Sequence, residues 1–177
     1  MANDIDHKNM MTYLSIEKKL KGIDKQVVNE YLSWLDTKTT FFADSIHKKS
    51  YRPQPDNITP GDVIWCEFGI NIGAELSDYN TKGHYAVVIL VSLGNLVVIP
   101  LTSKENNDSL FCFDLGYIKE LGKDKDYHSY LKLDAIRSIS KRRVGRMQNK
   151  ENGKIHLSDK MMHKIYKAIK MSFLNYQ

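Results

Sequence analysis

The sequence has 177 residues, of which 42% are hydrophobic and 27% are charged. This length and balance fit one globular domain, with or without an arm, and they exclude a wholly disordered chain or a collagen-like fibre. The longest apolar run, residues 85–93, is far shorter than the roughly 18 residues that cross a bilayer, and the polar N-terminus lacks the apolar core of a secretory signal. Two cysteines without CxxC spacing, Cys66 and Cys112, predict reduced thiols in a cytoplasmic protein.

Positive charge is concentrated in the last third of the chain, although the formal net charge is only +5. Residues 1–57 hold nine Lys/Arg and eight Asp/Glu, residues 58–128 hold five and ten, and residues 129–177 hold twelve and three. Such an asymmetry is typical of a protein that binds a polyanion, most commonly nucleic acid. A lysine-rich solvated face that keeps the protein soluble explains the charge equally well.

Two helices are predicted between about residue 6 and residue 50. Apolar residues recur at helical spacings from Val27 to Ile46, after a weaker first stripe. Gly22 predicts the end of the first helix, and Asp24 predicts the N-cap of the second. The TKTT stretch at 37–40 could interrupt the second helix.

A proline-rich stretch separates these helices from the rest of the chain. Residues 51–62 hold three of the four prolines and show no helical period, which predicts an extended linker. We therefore expect an N-terminal helical extension and linker at 1–57 and a second domain at 58–177.

The second domain has the pattern of short strands followed by one helix. Gly94 and Asn95 separate two apolar runs and predict a hairpin. Ser158 predicts the N-cap of an amphipathic C-terminal helix. Together the elements predict an α+β fold: a small, barrel-like antiparallel sheet of five to seven strands, with a C-terminal helix and an N-terminal helical arm.

Familiar motifs of metal and nucleotide chemistry do not occur in the sequence. The six histidines show no HExxH pattern, and no GxxxxGK[ST], GxGxxG or GxSxG motif is found. The sequence therefore predicts neither a metal site nor a bound cofactor.

Polar and apolar residues recur in a recognisable order after the linker. The sequence carries, in chain order, Gly61, Asp62, Val63 and Trp65 in the opening strand, Gly73, Ala74, Glu75 and Gly83 in the next loop, a valine-rich run at 86–89, Thr102 at the end of IPLTS, the segment AIRSI at 135–139, and HLSDKMM at 156–162. In this order and spacing the chain resembles the MazF/PemK family of toxin endoribonucleases over roughly residues 60–175. The first 57 residues have no counterpart in the compact members of that family.

The resemblance implies an SH3-like barrel that usually forms a homodimer. Such proteins cut single-stranded RNA at short sequences without a metal, and a cognate antitoxin usually silences them. In that reaction the 2′-hydroxyl attacks the adjacent phosphate and leaves a 5′-hydroxyl. The chemistry needs a base, an acid and donors that hold the charged phosphorane.

The family's site residues are only partly present. The resemblance implies catalytic roles for the strand-end threonine and the loop glutamate, matched by Thr102 and Glu75, but the position of the family's arginine holds His84. Arginine offers phosphate a permanent charge and a bidentate fork, whereas histidine can give or take a proton near neutral pH. We therefore expect His84 to act as general acid or base. Candidates for the missing positive charge are Lys82, Lys104 and Arg137.

Further substrate contacts are predicted from the neighbouring sequence. Ser103 adjoins Thr102, and Tyr79 in the polar loop is a candidate to stack on an unpaired base. Arg142 and Arg146 would share one face of a strand and could follow an RNA backbone. Trp65 alternates with apolar neighbours, which favours a place in the core.

Two other functions stay open. The missing arginine favours a non-catalytic member of the same fold that binds nucleic acid, RNA or DNA, or a protein target such as a topoisomerase subunit. A small β-barrel adaptor in a larger complex is a further alternative. The N-terminal helices could pack on their own barrel, which we favour, or they could enlarge a dimer, cover the RNA groove or bind a partner.

Overall fold

The computed structural model describes residues 7–73, 75–77, 83–106, 108–121 and 128–174. Two helices precede an antiparallel sheet, and a third helix follows it, which confirms the α+β prediction. The helices are α1 (His7–Leu20), α2 (Lys25–Ile46) and α3 (Asp159–Phe173). The strands are β1 (Asp62–Cys66), β2 (His84–Val91), β3 (Asn95–Thr102), β4 (Cys112–Tyr117), β5 (His128–Lys132), β6 (Arg137–Ser140), β7 (Val144–Gly145) and β8 (Ile155–His156).

Helix α2 begins at the predicted cap and continues through the threonine-rich stretch. The carboxylate of Asp24 accepts hydrogen bonds from the backbone N–H groups of Gln26 and Val27, at 2.8 and 3.2 Å. The TKTT stretch does not interrupt the helix. The hydroxyls of its three threonines donate to backbone carbonyls four residues earlier, at 2.8 to 3.2 Å, so they bond within the helix rather than compete with it.

The described strands form one sheet of eight strands, with the order β4-β5-β3-β2-β1-β7; β6 pairs with β3, and β8 pairs with β1. The prediction of five to seven strands is wrong because β7 and β8 contain two residues each, too few to show a period of two. The hairpin between β2 and β3 is confirmed, with the Ser92 N–H donating to the Asn95 carbonyl at 2.9 Å.

Both faces of the central strands are buried, so neighbouring residues belong to different halves of the core. Val63 and Val87 pack in a cluster that α3 covers with Met162 and Ile165. The side chains next to them in sequence, among them Ile64, Ala86 and Val88, pack in a second cluster together with Phe68 and Ile139. The sheet is therefore covered on both faces, with α3 packed against one of them.

Helix α2 packs on the sheet domain through Trp34, whose side chain is 4% exposed. The Arg143 guanidinium lies 5.3 Å from the centroid of the Trp34 ring, and the ring also lies against the backbone of Gly69. A second arginine, Arg52, lies over the ring of Phe41 at 5.3 Å. The arm therefore packs on its own barrel, which is the favoured one of the arrangements considered above.

None of the helices within the described residues is long and apolar enough to cross a membrane.

Candidate active site

His84 and Thr102 are brought together by the pairing of β2 with β3. Ala86 lies opposite Pro100 in that register. Two residues further along, His84 begins β2 and Thr102 ends β3, so both residues lie at the open end of this hairpin.

These two residues open into a cavity of about 580 Å³. His84, Thr102, Ser103 and Lys104 all line it, so four of the side chains predicted from the sequence share one solvent-accessible site. The Thr102 hydroxyl accepts a hydrogen bond from the Lys104 backbone N–H at 3.1 Å. That bond fixes the oxygen and leaves the hydroxyl proton to be donated elsewhere.

An aromatic pair forms one wall of the cavity. The Trp65 and Tyr85 rings meet edge to face, with centroids 5.2 Å apart and planes inclined at 77°. Gly83 makes room for the indole, because a Cβ on this residue would lie 2.6 Å from its ring atoms. The expectation of Trp65 as a core residue is therefore corrected: its ring is only half-buried and lines the cavity.

Strand β5 supplies side chains that sequence reasoning missed. It pairs with β3 so that Tyr130 lies opposite Thr102, and its residues His128 and Lys132 line the cavity. The His128 Nδ1 atom lies 2.9 Å from the Asp114 carboxylate on β4. No local motif marks these residues, because only the long-range pairing of β5 with β3 brings them to the site.

The remaining predicted catalytic residue, Glu75, is near the cavity but does not line it. Its side chain is exposed, and its neighbour Leu76 forms part of the wall. Tyr79 and Lys82 lie outside the described residues. The roles proposed for these three residues stay predictions.

Arg137 and Arg142 make contacts within the protein. The Arg137 guanidinium lies 5.6 Å from the centroid of the Phe68 ring. Arg142 lies 4.6 Å from the Tyr51 ring centroid and donates to the Lys49 carbonyl at 2.8 Å. Residues 141–143 form a 3₁₀ turn rather than a strand, so the shared strand face expected for Arg142 and Arg146 is not formed.

Arg146 forms a bidentate ion pair with Asp56, at 2.8 and 3.0 Å. This hydrogen bonding lowers the pKa of Asp56 below its ordinary value. Arg146 also lines a second cavity of about 650 Å³, which shares Trp65 and Tyr85 with the first. It therefore ties the linker to the sheet and lies at a cavity next to His84 and Thr102.

Asp62, the acidic residue of β1, lies in the protein interior, where hydrogen bonds satisfy its carboxylate. Asp62 is fully buried, and its carboxylate accepts from the Thr59 N–H at 2.6 Å and from Lys154 Nζ at 2.7 Å, and lies 2.8 Å from His156 Nδ1. Burial by itself would raise the pKa of Asp62, but the hydrogen bonds outweigh it and the pKa is lowered. Asp62 thus ties β1 to the segment that contains β8.

The N-terminal helices leave the first cavity open. Of the described residues, those that line the cavity all come from position 65 onwards, and none belongs to α1 or α2. Burial of the groove under the leading helices, one of the arrangements considered above, is therefore not what the described part of the chain adopts.

The chain matches the family described as PemK-like, MazF-like toxin of type II toxin-antitoxin system over residues 59–173. The chain belongs to this family. The match confirms the resemblance inferred from the motifs and covers nearly the same residues. Among curated proteins no sequence matches the chain. PemK/MazF-like toxins are RNA-cleaving proteins that are paired with an antitoxin.

Proposed function

We propose that this PemK/MazF-like chain is an endoribonuclease that cuts single-stranded RNA at a short sequence. The 2′-hydroxyl attacks the adjacent phosphate without help from a metal ion, and the products carry a 5′-hydroxyl. The protein acts in the cytoplasm as a homodimeric toxin that a cognate antitoxin restrains. The convergence of His84 and Thr102 in one accessible cavity, at the end of the β2–β3 hairpin, carries this proposal.

His84 takes part in proton transfer in place of the family's arginine. An imidazole exchanges a proton near neutral pH, which a guanidinium does not. The Thr102 hydroxyl, oriented by the Lys104 N–H, donates to a non-bridging phosphate oxygen. Lys104, Lys132 and Ser103 line the same cavity. The two ammonium groups supply the positive charge that the absent arginine would have brought.

The other predicted contacts form an outer part of the proposed site. Glu75 stands beside the cavity next to Leu76, and Arg146 stands at the adjoining cavity. Arg137 and Arg142 contribute positive charge from the basic third of the chain while they stack on aromatic rings. Tyr79 and Lys82 keep the roles proposed from the sequence, as base-stacking and phosphate-binding residues.

Incubation of the purified protein with a mixed RNA pool in EDTA tests the proposal. Mapping of the product ends is expected to show cuts at one short motif, each with a 5′-hydroxyl. His84→Ala and Thr102→Ala should both lose cleavage, while His163→Ala, a change in an exposed histidine of α3, should not. Parental cleavage by both active-site variants would contradict the assignment.

The replacement of the family's arginine by His84 favours one second function. In that case the chain has lost cleavage and binds nucleic acid, RNA or DNA, or a protein target such as a topoisomerase subunit. The same experiment separates the two, because RNA that is bound but never cut would support the second function. Induced expression adds a cellular readout: growth arrest that Thr102→Ala relieves supports cleavage.

A further inference from the structure

Cleavage by a 2′-hydroxyl needs two proton transfers at opposite ends of the reacting phosphate. A base removes the 2′-proton, and an acid protonates the departing 5′-oxygen. His84 can supply one of these groups. Near neutral pH the second is best supplied by another imidazole, since histidine is the side chain that changes charge in that range.

Strand β5 brings a second histidine, His128, into the cavity from the side of β3 opposite to β2. Strand β3 runs between β2 and β5, and Thr102 lies opposite Tyr130 of β5. His128 is two residues from Tyr130 on the same strand, and both histidines line the cavity. A phosphate held at the Thr102 hydroxyl would therefore have an imidazole on each side.

His128 is also oriented for proton transfer. Its Nδ1 atom lies 2.9 Å from an Asp114 carboxylate oxygen, and the two form an ion pair when the imidazole is protonated. Because an ionised carboxylate can only accept a hydrogen bond, Nδ1 carries a proton and donates it to Asp114. Nε2 is then the atom that exchanges a proton with the substrate. The nearby Tyr130 ring, with its centroid 6.3 Å from that of His128, limits rotation of the imidazole.

We propose that His128 is the general acid of the cleavage reaction, an assignment that depends on the proposed function. The Asp114 carboxylate, 2.9 Å from Nδ1, lies against the imidazolium that this role requires. As the bond from O2′ to phosphorus forms, His84 takes the 2′-proton. As the bond from phosphorus to O5′ breaks, His128 Nε2 gives its proton to O5′. The products are a 2′,3′-cyclic phosphate and a 5′-hydroxyl, and exchange with solvent resets both imidazoles.

Other charged groups surround the two histidines and enter any pH profile. On β4, Asp114 and Tyr117 face His128, and Tyr117 is its partner in register. Within β5, Tyr130 and Lys132 flank it, and Lys104 and Asp134 line the same cavity.

A substrate with sulfur in place of the 5′-bridging oxygen tests the acid role directly. A thiolate leaves without being protonated, so a variant that lacks only the general acid recovers on this substrate. Single-turnover rates would be measured with both substrates for the full chain and for His128→Asn, His84→Asn and His163→Asn. The last variant is a matched control, because His163 is an exposed histidine on α3 whose Nδ1 lies 2.7 Å from the Asp159 carbonyl.

His128→Asn is expected to slow cleavage of the oxygen substrate on the order of 10²-fold or more and to recover most of that loss on the sulfur substrate. His84→Asn should be slow on both substrates, and His163→Asn should match the parent on both. Asp114→Asn should cause a smaller loss that the sulfur substrate also relieves, as expected of a positioning residue. Binding of a 2′-O-methyl RNA with parental affinity by His128→Asn and by a second variant, His128→Gln, would show that the folded site is retained.

The two proposals fail in different ways. A parental rate for His128→Asn on the oxygen substrate, or an equal loss on both substrates, would overturn the acid role while cleavage itself stands. The absence of cleavage by the unaltered protein on either substrate would overturn the proposed function and this assignment with it.

Discussion

The indole of Trp34 lies so close to the backbone of Gly69 that a Cβ on Gly69 would be 1.9 Å from the Cε2 atom of the ring. The Arg143 guanidinium lies over the same ring system, 5.3 Å from its centroid. The buried Trp34 side chain thus contacts both a glycine and an arginine of the sheet domain, in addition to the contact of Phe41 with Arg52. Since none of the described residues around the first cavity belongs to this helix, docking of α2 and cleavage should be separable.

Gly69→Ala is therefore expected to displace Trp34 and release α2 while the barrel stays folded. Loss of a buried tryptophan contact costs about 3 kcal/mol, which should appear as faster hydrogen exchange across Lys25–Ile46. Gly73→Ala is the matched control, because Gly73 also has a positive φ, +59°, but nothing lies within 4 Å of its would-be Cβ. If hydrogen exchange across α2 increased equally in both variants, the displacement of Trp34 would not be the cause of the increase.

Removal of the Thr102 hydroxyl should slow cleavage without unfolding the protein. Thr102→Val keeps the shape of the side chain and is expected to lose on the order of 10²-fold in single-turnover rate, as when one donor to a transition state is removed. Thr102→Ser keeps the hydroxyl and should retain most of the rate. Thermal unfolding should be similar in both variants. A Thr102→Val enzyme as fast as the Ser variant would exclude the hydroxyl from the reaction.

Asp62→Asn should destabilise the fold by about 3 kcal/mol at pH 7, because it leaves the ammonium group of Lys154 without its buried counter-charge. The pKa of Asp62 is lowered in the folded protein from the ordinary value of 3.8. Its carboxylate therefore stabilises the fold fully above that value, and the stabilisation is lost as the pH falls through the lowered pKa. Urea unfolding of parent and variant should accordingly converge as the pH falls below 3.8.

The surface pair of Asp56 with Arg146 provides the comparison for that experiment. Asp56→Asn removes the carboxylate of an exposed ion pair, and its effect on the free energy of unfolding should be much smaller than that of Asp62→Asn. If the two substitutions lowered the free energy of unfolding equally, burial of Asp62 would not be what determines its contribution to stability.

RNA affinity should fall with salt, and Lys104 should account for part of that dependence. Loss of one phosphate contact to a single strand lowers the slope of log K against log salt by about 0.7, so Lys104→Ala should give a measurably shallower slope in titrations with a 2′-O-methyl RNA. Lys19→Ala, in an exposed position of α1, is the control and should leave the slope unchanged. Identical slopes for the parent, Lys104→Ala and Lys19→Ala would show that Lys104 does not contact an RNA phosphate.

Local signals in the sequence predicted the elements that depend on local chemistry. The cap at Asp24, the turn at Gly94-Asn95 and the N-cap at Ser158 were all found where expected, because each is set by hydrogen bonds within a few residues. The threonines at 37–40 misled the prediction, since their hydroxyls bond to the helix's own carbonyls.

Only part of the candidate site could be predicted, because some of its residues are brought there by long-range strand pairing. His84 and Thr102 were identified through the resemblance to the family, and the hairpin that joins them is short. His128 and Lys132 carry no such signal, because their place in the cavity depends on which strand β5 pairs with. Trp65 was assigned to the core because alternation along a strand does not reveal where the sheet gives way to a cavity.

Two partners of the Asp62 carboxylate, Lys154 and His156, lie more than ninety residues later in the chain. During synthesis, β1 is therefore made long before Lys154, the residue that neutralises its buried charge. A message truncated before codon 154 would yield a barrel with an uncompensated anion in its interior. Most of the chain must therefore be synthesised before the Asp62 carboxylate can pair with the Lys154 ammonium group.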